Sequence, residues 1–472
     1  MIGKMAHSVT CLLAVALPGY CVASAPPYPP NVVFILADDL GWADLACYGS
    51  DLHETPHLDR LAREGMRFSQ AYAMPVCSPS RAAILTGRHA ARLQMTIWRE
   101  GALKPTENQK LRPAPAISDL PHAETTIAEA LKAAGYLTFH IGKWHLGDAD
   151  HSPETQGFDL NIGGTHWGAP ATFFHPFRGE FGPEREFRYV PGLGLGKAGD
   201  YLTDRLTDEA IALIDAARNR PFFLNLWYYS PHTPMDGKPE LVAKYRKRIK
   251  SGMKHQNPDY AAMIESLDAN VGRVLAQLRK RKLEGRTLVI FASDNGGTII
   301  QHRGRQVTDN SPLRSGKGSL YEGGIRVPLI VRLPGVTSRG SVCDEPVICT
   351  DFYPTILELC GVSAASRPAA GPLDGQSVAP LLRQPNARLN RDALYFHYPH
   401  YYMTTTPVSA IRAGDWKLLE YFEDHRVELY HLQDDPGETR DLAGQQPTRA
   451  AQLRDQLDAW RSAVGAKVPT AR

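Results

Sequence analysis

Three short runs hold the residues best able to do chemistry. Asp38-Asp39 are adjacent carboxylates, Ser293-Asp294-Asn295-Gly296-Gly297 offers a carboxylate beside an amide, and Cys77-Ser78-Pro79-Ser80-Arg81 sets a thiol four residues before a guanidinium. Asp38, Asp39, Asp294 and Asn295 are all hard oxygen donors suited to Ca²⁺ or Mg²⁺, with no Cys or His among them to favour zinc. Taken singly, each pair reads equally well as turn or helix-cap residues. Their similar placement after apolar runs favours the metal reading. Cys77 alone is most simply a small buried hydrophobe. Pro79 and Ser80, however, suit the start of a helix through Ile84, with the thiol at its electropositive end and Arg81 one turn on, reaching back toward it.

The string Cys77-Ser-Pro-Ser-Arg81, followed by Leu85-Thr86-Gly87-Arg88, resembles the signature of the type I sulfatases of the alkaline phosphatase superfamily. Further motifs match in the same order. Asp38-Asp39 precede the cysteine, and Gly142-Lys143-Trp144-His145-Leu146-Gly147 is similar to the second signature of that family. His232 in Ser-Pro-His-Thr-Pro, Asp294-Asn295, and Lys317 in Gly-Lys-Gly-Ser-Leu-Tyr-Glu-Gly-Gly complete the set. The resemblance covers nearly the whole chain beyond its first 25 residues.

The resemblance implies sulfate ester hydrolysis with Cys77 oxidised to formylglycine by a maturation enzyme. A hydrated aldehyde has two hydroxyls: one attacks sulfur, and the other expels sulfate by re-forming the aldehyde, whereas a plain alcohol would keep a stable sulfate ester. One Ca²⁺, with Mg²⁺ second, is implied at Asp38, Asp39, Asp294 and Asn295, with the hydrate of residue 77 as a further ligand. Arg81 and Lys143 are implied to stabilise the ionised hydroxyl, and His145 to bind the second hydroxyl and take its proton. His232 and Lys317 are implied to contact the sulfate and the bridging oxygen. Two rival functions stand beside this one: a phosphonate monoester hydrolase or phosphodiesterase sharing the nucleophile and metal site, and a non-catalytic protein that binds sulfated glycans. An intact Cys77 with all its charged partners argues against the second rival.

The elements that must position these residues are legible as well. Asn31–Ala37 is continuously apolar, the pattern of a strand buried on both faces, and it ends in Asp38-Asp39, at the carboxyl end where open α/β sheets hold their sites. The chain then alternates: helix 125–134 into strand 136–141, helix 202–217 into strand 221–229, helix 260–280 into strand 287–292, and strand 327–332 before a helix near 350–360. Such alternation predicts an α/β fold with a large mixed, mostly parallel sheet sandwiched by helices; by resemblance it is alkaline phosphatase-like. Short strands at 393–397, 408–412, 417–422 and 427–431 and a helix at 448–464 predict a smaller C-terminal antiparallel sheet with one helix. The domain reading is 1–25 signal, 26–380 catalytic, 381–472 C-terminal.

Composition supports a globular reading and narrows it little further. Of 472 residues, 43% are hydrophobic and 22% charged, which excludes disordered, collagen-like and coiled-coil chains. Lys+Arg 53 against Asp+Glu 50 is too balanced to suggest a nucleic-acid surface. Lys4, the apolar run Cys11–Leu17 and Val22-Ala23-Ser24-Ala25 form a secretory signal pattern, too short to span a bilayer. Cleavage after Ala25 is expected, with lipoprotein processing at Cys21 the alternative, so the protein is read as periplasmic or secreted. Five cysteines lie beyond that point, an odd number; one pair among Cys343, Cys349 and Cys360 forming a bridge is weighed equally against all being free. His166, Trp167, Phe173, Phe174, His175, Arg178, His302, Arg303, Arg314, His397, His400, Tyr401 and Tyr402 are candidates to line a carbohydrate subsite, with core packing the competing reading. The implied substrate is a sulfated carbohydrate attacked at a chain end or on a short oligosaccharide.

Overall fold

The computed structural model describes residues 29–104, 108–194, 196–363 and 371–472. The expected signal segment and Cys21 lie outside them. The largest sheet has nine strands: β1 (Asn31–Ala37), β2 (Met66–Tyr72), β3 (Leu137–Gly142), β4 (Leu160–Ile162), β5 (Phe222–Trp227), β6 (Thr287–Ser293), β7 (Arg326–Arg332), β8 (Ser341–Cys343) and β9 (Val347–Ile348). Their order is β8-β2-β7-β6-β1-β5-β3-β4, with β9 also on β2. Pairing is parallel except along β7, which runs antiparallel to both β6 and β2.

All seven residues of β1 are buried, because the sheet is covered on both sides. Val32, Phe34 and Leu36 face a core shared with helices α2 (Cys77–Thr86), α3 (Ile127–Ala133) and α6 (Phe352–Leu359). Val33, Ile35 and Ala37 face a second core with α1 (Pro56–Glu64), α4 (Leu202–Ala216) and α5 (Pro258–Lys280). Period-two alternation thus splits one apolar strand between two cores.

A four-stranded antiparallel sheet follows: β10 (Leu394–Tyr398), β11 (Val408–Ala413), β12 (Trp416–Tyr421) and β13 (Val427–His431). Ile411, Leu418 and Leu429 pack under helix α7 (Pro447–Val464). The other face, with Phe396, Val408, Ala410 and Leu419, joins the core on the α2 side of the large sheet. Buried Lys417 ties the two parts, 2.9 Å from Glu322 and 2.8 Å from Glu438. Cys47, Cys77, Cys343, Cys349 and Cys360 are all free, so the bridge considered among the last three is not formed.

Candidate active site

Register carries the polar runs to one edge. Ala37 pairs with Ser293, Leu36 with Trp227, and Trp227 with Gly142, so Asp38, Asp294 and Lys143 each leave the sheet at the same level. The loop after β5 brings His232, and the loop after β2 brings Cys77. The reversal of β7 brings Lys317, since that strand begins where its neighbours end. Gly142 permits the tight exit before Lys143: its φ is +98°, and an added Cβ would lie 2.0 Å from the Trp227 carbonyl oxygen. Asp39 takes a left-handed backbone, φ 66°.

Three carboxylates meet three cations here, all buried. Lys143 Nζ lies 2.7 Å from Asp38 Oδ2, and Lys317 Nζ 2.6 Å from Asp39 Oδ1. Arg81 does not reach back to the thiol as expected from helix spacing. Its guanidinium forks onto Asp294 Oδ2, at 3.0 Å from Nε and 2.7 Å from Nη2, and stands 3.8 Å from Asp38 Oδ1. Asn295 Nδ2 donates to Asp39 Oδ1 at 2.8 Å, and His232 Nε2 lies 3.6 Å from Asp39 Oδ2. Cys77 heads α2 with its Sγ 3.7 Å from Asp38 Oδ1 and 3.4 Å from Lys317 Nζ. The thiol and the carboxylates of Asp38 and Asp39 cluster with His232 closely enough to share one ion.

Burial dominates the ionisation of these groups. It pushes the Cys77 thiol up to about 12 and Asp38 up to about 7, the latter against the pull of Lys143. Asp39 is buried too, yet Lys317 and His232 hold it well below the usual carboxylate range. Burial also lowers His232 to about 3 and His145 to about 4.

Above this floor lies a cavity of about 230 Å³, lined by Cys77, His145, His232 and Lys317 together with residues that no motif announced: Trp98, Glu100, Phe181, Arg188 and Tyr402. Tyr402 is the one member of the expected carbohydrate set among the lining residues. Trp98 and Tyr402 meet edge to face at 5.5 Å, and Arg188 lies over the Phe181 ring at 4.1 Å. The other members of that set do not line it, and several are used otherwise. His397 binds Ser409 Oγ and the Lys467 carbonyl, His400 binds Thr96 Oγ1, and Phe173 and Trp167 are packed inside. Tyr401 contacts Glu423, Arg303 pairs with Asp259, and Arg314 holds Tyr430 and the Glu438 carbonyl. His397, His400, Phe173 and Trp167 were absorbed by packing and Arg314 by the junction of the two sheets, while Arg303 stays largely exposed in its ion pair. Arg178 sits at the start of the hairpin 178–189, whose residues Phe181 and Arg188 reach the cavity instead. Neither Arg188 nor Glu100 carried a sequence signal: alternation across Glu186–Tyr189 would turn Phe187 and Tyr189 inward, yet both are exposed and Arg188 is buried.

The family model described as Sulfatase matches residues 30–362, and that described as N-sulphoglucosamine sulphohydrolase, C-terminal, matches 316–463. The chain belongs to the sulfatase family. It is 33% identical to a sulfatase of Formosa agariphila, over 91% of this chain and 88% of that one, and 31% identical to the steryl-sulfatase of Mus musculus, over 99% and 87%. The crystal structure of Ps i-CgsB in complex with k-i-k-neocarrahexaose superposes with a TM-score of 0.75 at 30% identity, covering 92% of each chain. The fold is alkaline phosphatase-like, with a mixed, mostly parallel sheet and a smaller antiparallel one, and the activity is hydrolysis of sulfate esters. A phosphonate monoester hydrolase of Agrobacterium radiobacter, 18% identical with a TM-score of 0.66, shares the fold alone.

Proposed function

We propose that the chain hydrolyses sulfate monoesters of carbohydrates at a chain end, with Cys77 oxidised to formylglycine and one Ca²⁺ in the floor of the site. The observation that carries the nucleophile is the state of Cys77. A cysteine nucleophile needs a lowered pKa, but burial pushes this thiol up to about 12 although it heads a helix and touches Lys317. An aldehyde hydrate at the same point would stand beside Asp38 and Lys317, which lie 3.7 Å and 3.4 Å from Cys77 Sγ.

The donor set fits a hard divalent ion. Asn295 Oδ1 is buried with no hydrogen-bond partner, an acceptor lacking its cation or donor, and its neighbours Asp38, Asp39 and Asp294 are carboxylates. These four residues would hold the ion, with residue 77 beside them. When bound it supplies +2 of charge against the sulfate ester and the ionising hydroxyl. Arg81 and Lys143 hold Asp294 and Asp38 in place, and their own charge balances the carboxylates. Lys317 and His232 line the cavity where the leaving oxygen departs, and Lys317 can offer it a proton or a cation.

The cavity is smaller than the roughly 300–1,000 Å³ common for drug-sized ligands, which favours a single end residue over a long chain. Trp98, Phe181 and Tyr402 offer faces for a sugar ring, and Arg188 offers a partner for its hydroxyls. That polar rim suits a sugar better than a sterol, despite the likeness to a steryl-sulfatase. The 26–380 and 381–472 division is kept as the domain reading, and export through residues 1–25 as the expected route. Among the described residues no helix is long and apolar enough to cross a membrane.

Intact-peptide mass spectrometry of protein from a host with a maturation system tests this reading. The Cys77 peptide should lose sulfur, gain oxygen and be trapped by hydroxylamine, and the same sample should cleave sugar sulfates faster than aryl phosphodiesters. Full activity with unmodified cysteine, or preference for phosphodiesters, refutes it.

A further inference from the structure

His145 has an anionic partner that lies outside every motif. Glu100 stands on the short helix Arg99–Leu103, and its Oε2 is 2.6 Å from His145 Nε2. Its Oε1 accepts from the Gly168 backbone N–H at 3.2 Å and faces Arg188 Nη2 at 3.7 Å. The helix is pinned next to His145: Arg99 Nε donates to Asp119 Oδ1 at 2.9 Å, and the Asp148 backbone N–H donates to that oxygen at 3.2 Å. Gly168 backs the imidazole so closely that a Cβ there would stand 2.4 Å from its Cε1. The backbone of His145 is left-handed, φ 61°, and its N–H donates to the Thr165 carbonyl at 3.0 Å. The ring is therefore held at Nε2 and against Cε1, and its backbone by Thr165. Its second nitrogen, Nδ1, is buried without a hydrogen-bond partner, on a residue that lines the same cavity as Cys77.

A carboxylate at Nε2 fixes the proton there and leaves the lone pair on Nδ1. We propose that Glu100 is a positioning residue for His145, holding the imidazole with Nδ1 as the acceptor of the hydroxyl proton when sulfate is released from residue 77. This rests on the formylglycine reading above. In that step the O–H electron pair becomes the new C=O bond, and the C–O bond to sulfate breaks with its pair leaving on sulfate. The proton goes to Nδ1, and the imidazolium so formed faces Glu100 through Nε2, as in other carboxylate–histidine pairs. Burial works against that imidazolium and Glu100 offsets it. Glu100 contacts none of the proposed metal ligands, so its effect is separable from metal binding.

Release follows capture of the sulfate, so the kinetic signature is specific. In fully matured enzyme, Glu100→Gln should lower kcat about 10²-fold while KM falls in parallel and kcat/KM stays within about threefold. Rapid-quench intact mass should show a sulfated enzyme that accumulates in the variant and not in the wild type. Independent of turnover, ¹⁵N-histidine NMR of protein retaining unmodified Cys77 should show His145 as the Nε2–H tautomer, and Glu100→Ala should lose that preference. A kcat/KM that falls with kcat, an unchanged kcat, or a tautomer indifferent to Glu100→Ala overturns the proposal. A wild type lacking the aldehyde, or sparing sulfate esters, overturns the wider reading along with it.

Discussion

At the scale of single residues, the site pairs each charge with another of opposite sign before any ligand arrives. Asp39 carries three partners, Lys317, Asn295 and His232, on its two oxygens. His232 is therefore close to the floor of the site, 15% exposed in its side chain, and lines the cavity. A sugar alkoxide needs help to leave, whereas nitrophenolate leaves largely unaided. His232→Ala should thus lose about tenfold more rate on a sugar sulfate than on nitrophenyl sulfate. Equal losses on the two substrates would assign the residue to sulfate binding instead. Asp39→Ala should nearly abolish turnover, and elemental analysis should find calcium depleted from a protein that is still folded; zinc in active wild type would contradict the oxygen-donor reading.

At the scale of elements, strand exits supply direction, but loops must be held in unfavourable backbone shapes to use it. The segment from Asp38 to Asp44 is held from helix α5. The Tyr260 hydroxyl lies 2.7 Å from Asp44 Oδ2 and 3.0 Å from the Asp39 carbonyl oxygen, while the Gly41 N–H donates to Asp44 at 2.6 Å. Tyr260→Phe removes the buried donor and costs about 1–3 kcal/mol. The fold should survive, because α5 is anchored along most of its length in the second core. Calcium affinity should drop about tenfold as the left-handed Asp39 loosens, measured by titration of the chelated protein. Wild-type affinity in this variant would mean that the sheet exit alone sets the position of Asp39.

Over the whole molecule, buried histidines couple stability to pH. Burial holds His140, His397 and His400 each down to about 3. The unfolded chain protonates such groups below about 6.5, so their contribution is complete above that pH and is lost as pH falls toward 3. His255, between Asp44 and Asp51, is raised to about 8 and acts in the opposite sense: its contribution is present below about 6.5 and lost as pH rises through 8. His53 and His145, held down to about 4, and His232, to about 3, act like the first three, while Asp38, Asp268 and Glu438, each raised to about 7 by burial, act with His255. Six lowered histidines against four raised groups predict a lower Tm at pH 5 than at pH 7 by scanning calorimetry. The difference should persist after chelation, since His140, His397 and His400 lie outside the metal site. A Tm that is flat or higher at pH 5 would show that these histidines find water or new partners on protonation.

The same division separates what was legible in the sequence from what was not. Apolar runs and helical periods marked β1, β3, β5, β6 and β7, the four strands of the smaller sheet and helices α3 to α7 to within a few residues, because burial on both faces of a parallel sheet leaves a continuous hydrophobic stretch; they did not mark β2, β4, β8 or β9. The polar runs at the ends of β1, β3 and β6 marked the floor of the site, since carboxylates and cations at strand exits have few other uses when several coincide. Tertiary structure alone decided that Arg81 grips Asp294 rather than the thiol, because that depends on a contact between residues 213 apart in the chain. It likewise decided that β7 runs backwards and so delivers Lys317. It also sent His397, His400 and Phe173 into packing while bringing Trp98, Glu100, Phe181 and Arg188 to the cavity. Local periodicity records how a segment buries its own surface. Which side chains meet across a cleft is set by the contacts of segments far apart in the chain, and a single sequence carries no trace of those contacts until the chain is folded.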